Sequence, residues 1–576
     1  MMKKNIINIV SALCLVCGLS ACVDTVILPE SKTVDEDFWQ TKSDVSSMVN
    51  GAYQGMISSD VIARMIVWGD FRADELVPVT TISSSTITSL NEIYNANTQT
   101  DNTYATWSSL YSVINRCNIV LAKAEPVMEI DPDYTEGDYL THCSQMKALR
   151  ALCYFYLVRV YRDVPYTTTA YMNSSQDLDI VQSAPDSVLQ ACIADLVDAE
   201  ANALDPSGYN DWKKVGYLNR DGIDAILADI YLWLASVHYN ESVAATYYQK
   251  CVEYCDKVIE SKKAQHTPGR SEVVVADYPL ADGSQAYNEI FVEQNAEESI
   301  FELQMDGNNN SNTSLCQMYY KYANNNSTSG FVKASSIFGS VSTNTVYDNA
   351  NDYRYWNGVY RAGSGDETFN IRKMVAEEQT NTFASTTRTT SRTYANFAQN
   401  FIIYRLTDVM LMKAEALSEL AASKDDIQLR QAFNLVQYVN SRSRKADNLS
   451  DSLKWNTYSS KESMESLILS ERLRELCFEG KRWYDLMRYN YRHITASDYG
   501  KTLAQLEDEG FEFPTNAQVM LNLVTRKYAS GGSSVAAKLR TEPLLYMPIP
   551  RRDTEICPQL RQNPAYSDSD TYEKNI

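Results

Sequence analysis

Apolar residues recur along much of this chain every three or four positions, the spacing that lines one face of an α-helix. Thr106 to Glu125 keeps Trp107, Leu110, Tyr111, Ile114, Cys117, Ile119 and Leu121 on one side and stops at Pro126. Gln145 to Val164 carries Leu149, Leu152, Tyr156 and Val160 in the same way and stops at Pro165. An amphipathic segment from Val34 to Gly55 precedes them, and Asp186 to Ala203 follows, with Pro185 as its start signal. Three helix pairs come next: Ile223 to Ser236 with Ala244 to Glu260, Tyr404 to Leu420 with Gln428 to Ser441, and Glu462 to Phe478 with Arg482 to Tyr491. In the second pair Leu406, Met410, Ala414 and Leu417 face Leu429, Phe433, Val436 and Val439. Alanines such as Ala225, Ala228, Ala414 and Ala416 let neighbouring helices approach closely. The pattern predicts a mostly α fold, a scaffold of helical hairpins resembling tetratricopeptide repeats but without a strict period of about 34 residues.

The last pair meets at Gly480, a natural helix stop. Around it Glu471, Arg472, Arg474, Glu475, Glu479, Lys481, Arg482, Asp485 and Arg488 interleave, so opposite charges fall three apart at Glu471/Arg474, Glu479/Arg482 and Asp485/Arg488. This reads as a structural brace, since each sign already has a neighbouring partner.

From 282 to 398 the composition changes to Asn, Ser, Thr, Gly and Tyr, including NNNSNTS at 308–314 and NNNSTSG at 324–330. So long a polar segment is expected to lie outside the core. Strand-like runs at Ser299 to Leu303 and Val341 to Tyr347 give it a few short strands. The Ser/Thr-rich stretch from Thr80 to Ser89 reads as a loop. The tail from Leu544 to Tyr566 reads as an extended run packing back over the last helices. The resulting partition is 1–21 leader, 22–33 tether, 34–281 first helical region, 282–398 variable loop-rich region and 399–576 second helical region.

The leader changes the picture of location. Lys3 and Lys4 precede an apolar run from Ile6 to Leu19, shorter than the roughly 20 residues needed to span a bilayer. It ends in Leu19-Ser20-Ala21-Cys22, which resembles a bacterial lipobox with Cys22 as the lipidation site; an ordinary secretory leader with an accidental cysteine is the alternative. Losing Lys3 and Lys4 takes the net charge from −21 to −23, which argues against nucleic acid as a partner. The nine cysteines beyond the leader show no zinc spacing, and Cys251 and Cys255, one helical turn apart, suit two buried thiols better than a disulfide.

No catalytic motif is present: no H-E-x-x-H, G-x-S-x-G, phosphate loop or dinucleotide fingerprint. The four histidines are far apart. The expectation is a binding protein without cofactor, metal or catalytic residues, although a glycosidase pair could hide among 73 carboxylates. A sugar site needs flat rings and planar hydrogen-bonding groups. Tyr319, Tyr320, Tyr355 and Trp356 cluster in the variable region beside Asn326 and Arg361, where they would line a site or pin long loops to the scaffold.

FRADEL at Phe71 to Leu76, ALRALCYFYLVRVYRDVP at Ala148 to Pro165, YRLTDVMLMKAEAL at Tyr404 to Leu417, ERLRELCFEGKRWYDLMR at Glu471 to Arg488 and the YMPIP and QNPAY segments between Tyr546 and Tyr566 follow the lipobox in order. Together they resemble the SusD/RagB family of outer-membrane nutrient-binding lipoproteins of the Bacteroidetes. Arg162 stands where that family usually has glycine. The resemblance implies a surface lipoprotein, anchored only by lipid, that binds glycan and delivers it to a TonB-dependent SusC-like transporter. Peptide binding, or a purely structural role in the transporter complex, are the alternatives. It also implies that Tyr94 and Asn95, beyond the FRADEL-like stretch, form a wall of the site opposite the variable region, and that Asp74 is a brace.

Overall fold

The computed structural model describes residues 38–80, 84–173, 175–176, 180–266, 278–319, 330–340, 342–347, 351–361, 369–375, 397–445 and 453–570. The chain begins its helical array with α1 (Lys42–Met56), where Thr41 and Asp44 form a reciprocal capping box. It continues through α2 (Ser59–Ile66), β1 (Leu76–Pro78), α3 (Ser85–Tyr94), α4 (Ser108–Lys123), α5 (Glu136–Tyr161), β2 (Val164–Pro165), β3 (Gln182–Ser183), α6 (Pro185–Asn202), α7 (Arg220–Val237) and α8 (Ala244–Gln265). After β4 (Ser299–Leu303), α9 (Thr313–Tyr319), β5 (Val332–Ala334), α10 (Tyr353–Gly358), β6 (Val359–Tyr360), β7 (Asn370–Ile371) and β8 (Phe401–Arg405), the array resumes with α11 (Leu406–Leu420), α12 (Ile427–Arg442), α13 (Lys461–Leu476) and α14 (Arg482–Arg492). In the series α1, α4, α5, α6, α7, α8, α11, α12 and α13 each helix after α1 packs on the one before it. One apolar core runs through them, with Trp68, Trp233 and Trp483 fully buried.

Four local expectations change. The tail, instead of running extended, turns through Glu542–Leu545, the helix Arg551–Ile556 and Pro564–Asp570. Ser85–Tyr94 is helical because Ser84 accepts the Ile87 N–H and Ile87, Leu90 and Ile93 form one buried stripe. Tyr404 belongs to β8, which pairs antiparallel with β4, so the helix starts only at Leu406. Residues 342–347 are turns rather than a strand; the Asn344 carboxamide takes the Val346 and Tyr347 N–H groups and closes them locally. All sheets among the described residues are two-stranded ladders.

The charged cluster is buried, not solvated. Glu471–Arg474 and Asp485–Arg488 form as spaced, both at 2.8 Å. Glu479 and Arg482 do not pair, because Gly480 at φ +77° breaks the helix between them. Glu479 meets Arg405 at 2.8 Å and Lys373 at 2.6 Å, while Arg482 meets Asp74 at 3.0 Å. Arg442 adds Glu298 at 2.9 Å, and Arg354 adds Glu471 at 2.7 Å, so residues of the variable region are tied into the same network. Removing one member would strand a buried charge, which is costly.

Candidate functional site

The FRADEL-like stretch is the frame of the site. Helix α2 runs directly into a π-helical turn, Val67–Phe71, which carries Asp70 into the core. There its carboxylate accepts the backbone N–H groups of Gly480 at 2.7 Å and Lys481 at 3.0 Å. Glu75 accepts the Phe478 N–H, and burial pushes both carboxyls upward in pKa. Gly69 lies against Gly480 so closely that a Cβ would fall 1.9 Å from the Gly480 carbonyl oxygen. Asp74, also buried, is held by Arg482 and by Arg526 at 2.7 Å, which outweigh the burial and lower its pKa to about 2.

From this frame β1 pairs antiparallel with β5, Leu76 opposite Ala334 and Pro78 opposite Val332. The ladder extends through the Val79 N–H to the Phe331 carbonyl at 3.0 Å. Gly330 and Phe331 both donate to the carbonyl of Gln317 in α9. The Ser/Thr stretch after Val79 and both ends of the Asn-rich stretch 320–329 therefore leave from one end of a single ladder. Ala334 also donates to Phe369 beside β7, and β7 pairs with β6, which links α10 to the same framework.

The individual candidates divide by burial. Cys22, Tyr320 and Asn326 lie outside the described residues. Tyr319 is buried, and its hydroxyl reaches the Asp70 carboxylate and the Phe478 carbonyl, both at 3.4 Å. Tyr355 is buried between Tyr347 and Trp356, and the Arg361 guanidinium lies 3.7 Å from its ring centre. Arg361 donates to the carbonyls of Phe338, Gly339, Tyr355 and Val359, a set that fixes the loop onto itself. Trp356 is half-buried at the edge of this group. Tyr94 and Asn95 stand elsewhere, at the C-terminal end of α3, against Tyr528 and Lys538. Tyr94 is half-buried with its ring 4.5 Å from that of Tyr528, whose hydroxyl donates to the Tyr94 carbonyl. Asn95 is exposed, and its carbonyl accepts from Lys538 at 3.0 Å.

Sequence reasoning missed Tyr528 and Lys527, which no motif marks. Lys527 donates to the Phe71 carbonyl at 2.8 Å, and burial lowers its pKa to about 7. Also unmarked is a polar cleft of about 660 Å³ between Pro279 and Glu298, lined by Gln285, Asn288, Glu289, Glu293 and Gln294. Gln294 and Asn295 adopt φ of +64° and +50° at its edge, directly after the π-helical Asn288–Glu293. Among the described residues no three His, Cys, Asp or Glu side chains converge as a metal site. All nine described cysteines are free and buried, and the Cys251 and Cys255 sulfurs are 4.0 Å apart.

Comparison with known proteins agrees with this architecture at every level. A structure of a SusD homolog from Bacteroides thetaiotaomicron superposes with a TM-score of 0.67 at 18% identity, covering 93% of this chain and 99% of that one. Bacteroides fragilis NanU superposes with a TM-score of 0.61 at 18% identity, over 94% and 100% of the two chains. A SusD-like protein of Formosa agariphila is 26% identical over 510 residues, 82% of this chain and 89% of the relative. A family model described as "Starch-binding associating with outer membrane" matches residues 28–232. The model of the SusD family matches residues 240–566, the span that holds β4, β8 and helices α11 to α14 of the Asp70 clasp. With the hairpin array, the clasp and these matches together, this chain belongs to the SusD family.

Proposed function

We propose that this protein is an outer-membrane lipoprotein, anchored through Cys22 and exposed at the cell surface, that captures glycan and passes it unaltered to a TonB-dependent SusC-like transporter. The observation that carries the reading is the β1–β5 ladder. It roots a Ser/Thr stretch and both ends of an Asn- and Tyr-rich stretch at one place on a rigid frame, the arrangement in which loops recognise ligands. Trp356, half-buried beside Tyr355, offers a ring near that frame. Hydroxyls, amides and flat rings suit neutral polysaccharide, and the family's description as starch-binding points the same way. No helix among the described residues is long and apolar enough to cross a membrane, so attachment through lipid agrees with the chain's build.

The test is a glycan panel on the purified protein. Replacing 320–329 by a short Gly/Ser linker is expected to abolish saturable glycan retention, or weaken it at least tenfold, while the melting temperature holds. Unchanged retention in that variant, selective retention of peptides instead, or multiple-turnover cleavage of the glycan would overturn the reading.

A further inference from the structure

A cavity of about 170 Å³ opens between the segment after α3 and the C-terminal helices, with Arg72, Trp483, Tyr528, Tyr566, Asn97 and Gln99 in its walls. Arg72 is the cation of this lining. It is only 9% exposed, its guanidinium lies 4.4 Å from the Trp483 ring centre, and its Nη2 donates to the Leu545 carbonyl at 2.7 Å. Among the described residues its Nη1 has no hydrogen-bond partner. Among the described residues no carboxylate pairs with it, whereas the buried Arg405, Arg442, Arg472, Arg482, Arg488 and Arg492 each hold at least one, and Arg361 donates to four carbonyls instead. Burial without a counter-ion lowers the Arg72 pKa to about 10. In a chain with 73 acidic residues, a buried cation faced among the described residues by carbonyls and rings leaves room for one external negative charge.

The rest of the lining sets the chemistry of what carries that charge. Asn97 and Gln99 supply planar donors and acceptors, Tyr528 and Tyr566 supply flat rings, and Leu544 and Val535 close the apolar side. Ala96, next to Asn97, is held at φ +48°, a conformation uncommon for a residue with a Cβ. The space is that of one pyranose ring, not of a chain. We propose that this cavity binds a single acidic sugar residue of the hexuronate type, its carboxylate toward Arg72 and its hydroxyls toward Asn97 and Gln99. The site is separate from the 320–329 stretch, and the argument for it does not depend on the glycan reading there.

The full chain is titrated calorimetrically with galacturonate, galactose and acetate. Galacturonate is expected to bind saturably, at least tenfold more tightly than either of the others. Arg72→Gln is expected to abolish this binding, but it alters a buried group. Asn97→Asp, at an exposed position, therefore provides the independent arm: it removes the amide donor to the sugar hydroxyls, adds a negative charge to the cavity wall, and is expected to weaken galacturonate at least tenfold with the melting temperature unchanged. Galacturonate binding that survives replacement of 320–329 but is lost in Asn97→Asp assigns it to the cavity. No binding, equal binding of galactose or acetate, or binding indifferent to Asn97→Asp would overturn the proposal.

Discussion

Arg162 sits at φ +69° and ψ −79°, in a tight turn closed by the Asp163 N–H on the Tyr161 carbonyl at 3.1 Å. Glycine adopts such a conformation at little cost, whereas a residue with a Cβ is strained there by about 1–3 kcal/mol. The guanidinium compensates: it donates to the carbonyls of Lys501 and Asp498 and to the Ser497 hydroxyl, and pairs with Asp163 at 3.0 Å. Arg162→Ala is thus expected to lose the anchoring and keep the strain, and Arg162→Gly to lose the anchoring but shed the strain. Denaturant unfolding should place both below the parent, with the glycine variant about 1–2 kcal/mol above the alanine one; equal stabilities would show that the turn stores nothing. The departure from glycine is legible in the sequence, but its compensation is not, since Ser497 and Lys501 lie more than 300 positions away. The same limit explains Tyr319 and Tyr355. Their types suit a sugar platform, and only the fold reveals that Asp70 and Arg361 claim them.

Helices were the most legible elements because their signal is periodic and local. Pro126, Pro165 and Pro185 mark where segments stop or start, and the observed α4, α5 and α6 lie within a few residues of those marks, apart from an earlier start of α5 at Glu136. Of the short strands, the run Ser299 to Leu303 is legible and is β4, but strands of two to five residues carry little repetition, so the helix pattern takes in Tyr404 and Arg405 of β8 and the β1–β5 pairing leaves no mark in the sequence. One junction between helices has a pH dependence of its own. His238 caps the C-terminal end of α7 and bonds Glu241 at 2.8 Å and Asp186, in the first turn of α6, at 3.0 Å. Burial opposes its charge, but the two carboxylates prevail and raise its pKa from 6.5 to about 9. A raised folded-state value contributes stability that is complete below pH 6.5 and lost as pH climbs through 9. With Glu241 largely exposed, the contribution is on the order of 1–2 kcal/mol. His238→Gln should flatten the alkaline loss of melting temperature across that window; an unaltered slope would assign the loss to other groups.

For the molecule as a whole, the mostly helical scaffold and the shift in composition at 282 were readable from the chain. That much of the shifted region is core was not. Phe338, Tyr347, Met374 and Phe397 are buried, and Lys373 and Arg354 enter the ion network, because charges that look solvated in a linear reading find Glu471, Glu475 and Glu479 about 100 positions away. The clasp shows how tightly those segments are joined. Gly69→Ala would drive a methyl group into the Gly480 carbonyl and is expected to destabilise the protein by about 3 kcal/mol or more, read as a lower denaturant midpoint; a change below about 0.5 kcal/mol would mean the two backbones separate freely. Asp70 and Gly480 are 410 positions apart, and α5 and α7 also reach α14 over long sequence distances, through Arg159 on Tyr484 and Trp233 on Tyr491. A ribosome making this polypeptide has delivered most of it before the lock and its key coexist, so closure at Gly480 is a long-range encounter rather than local winding.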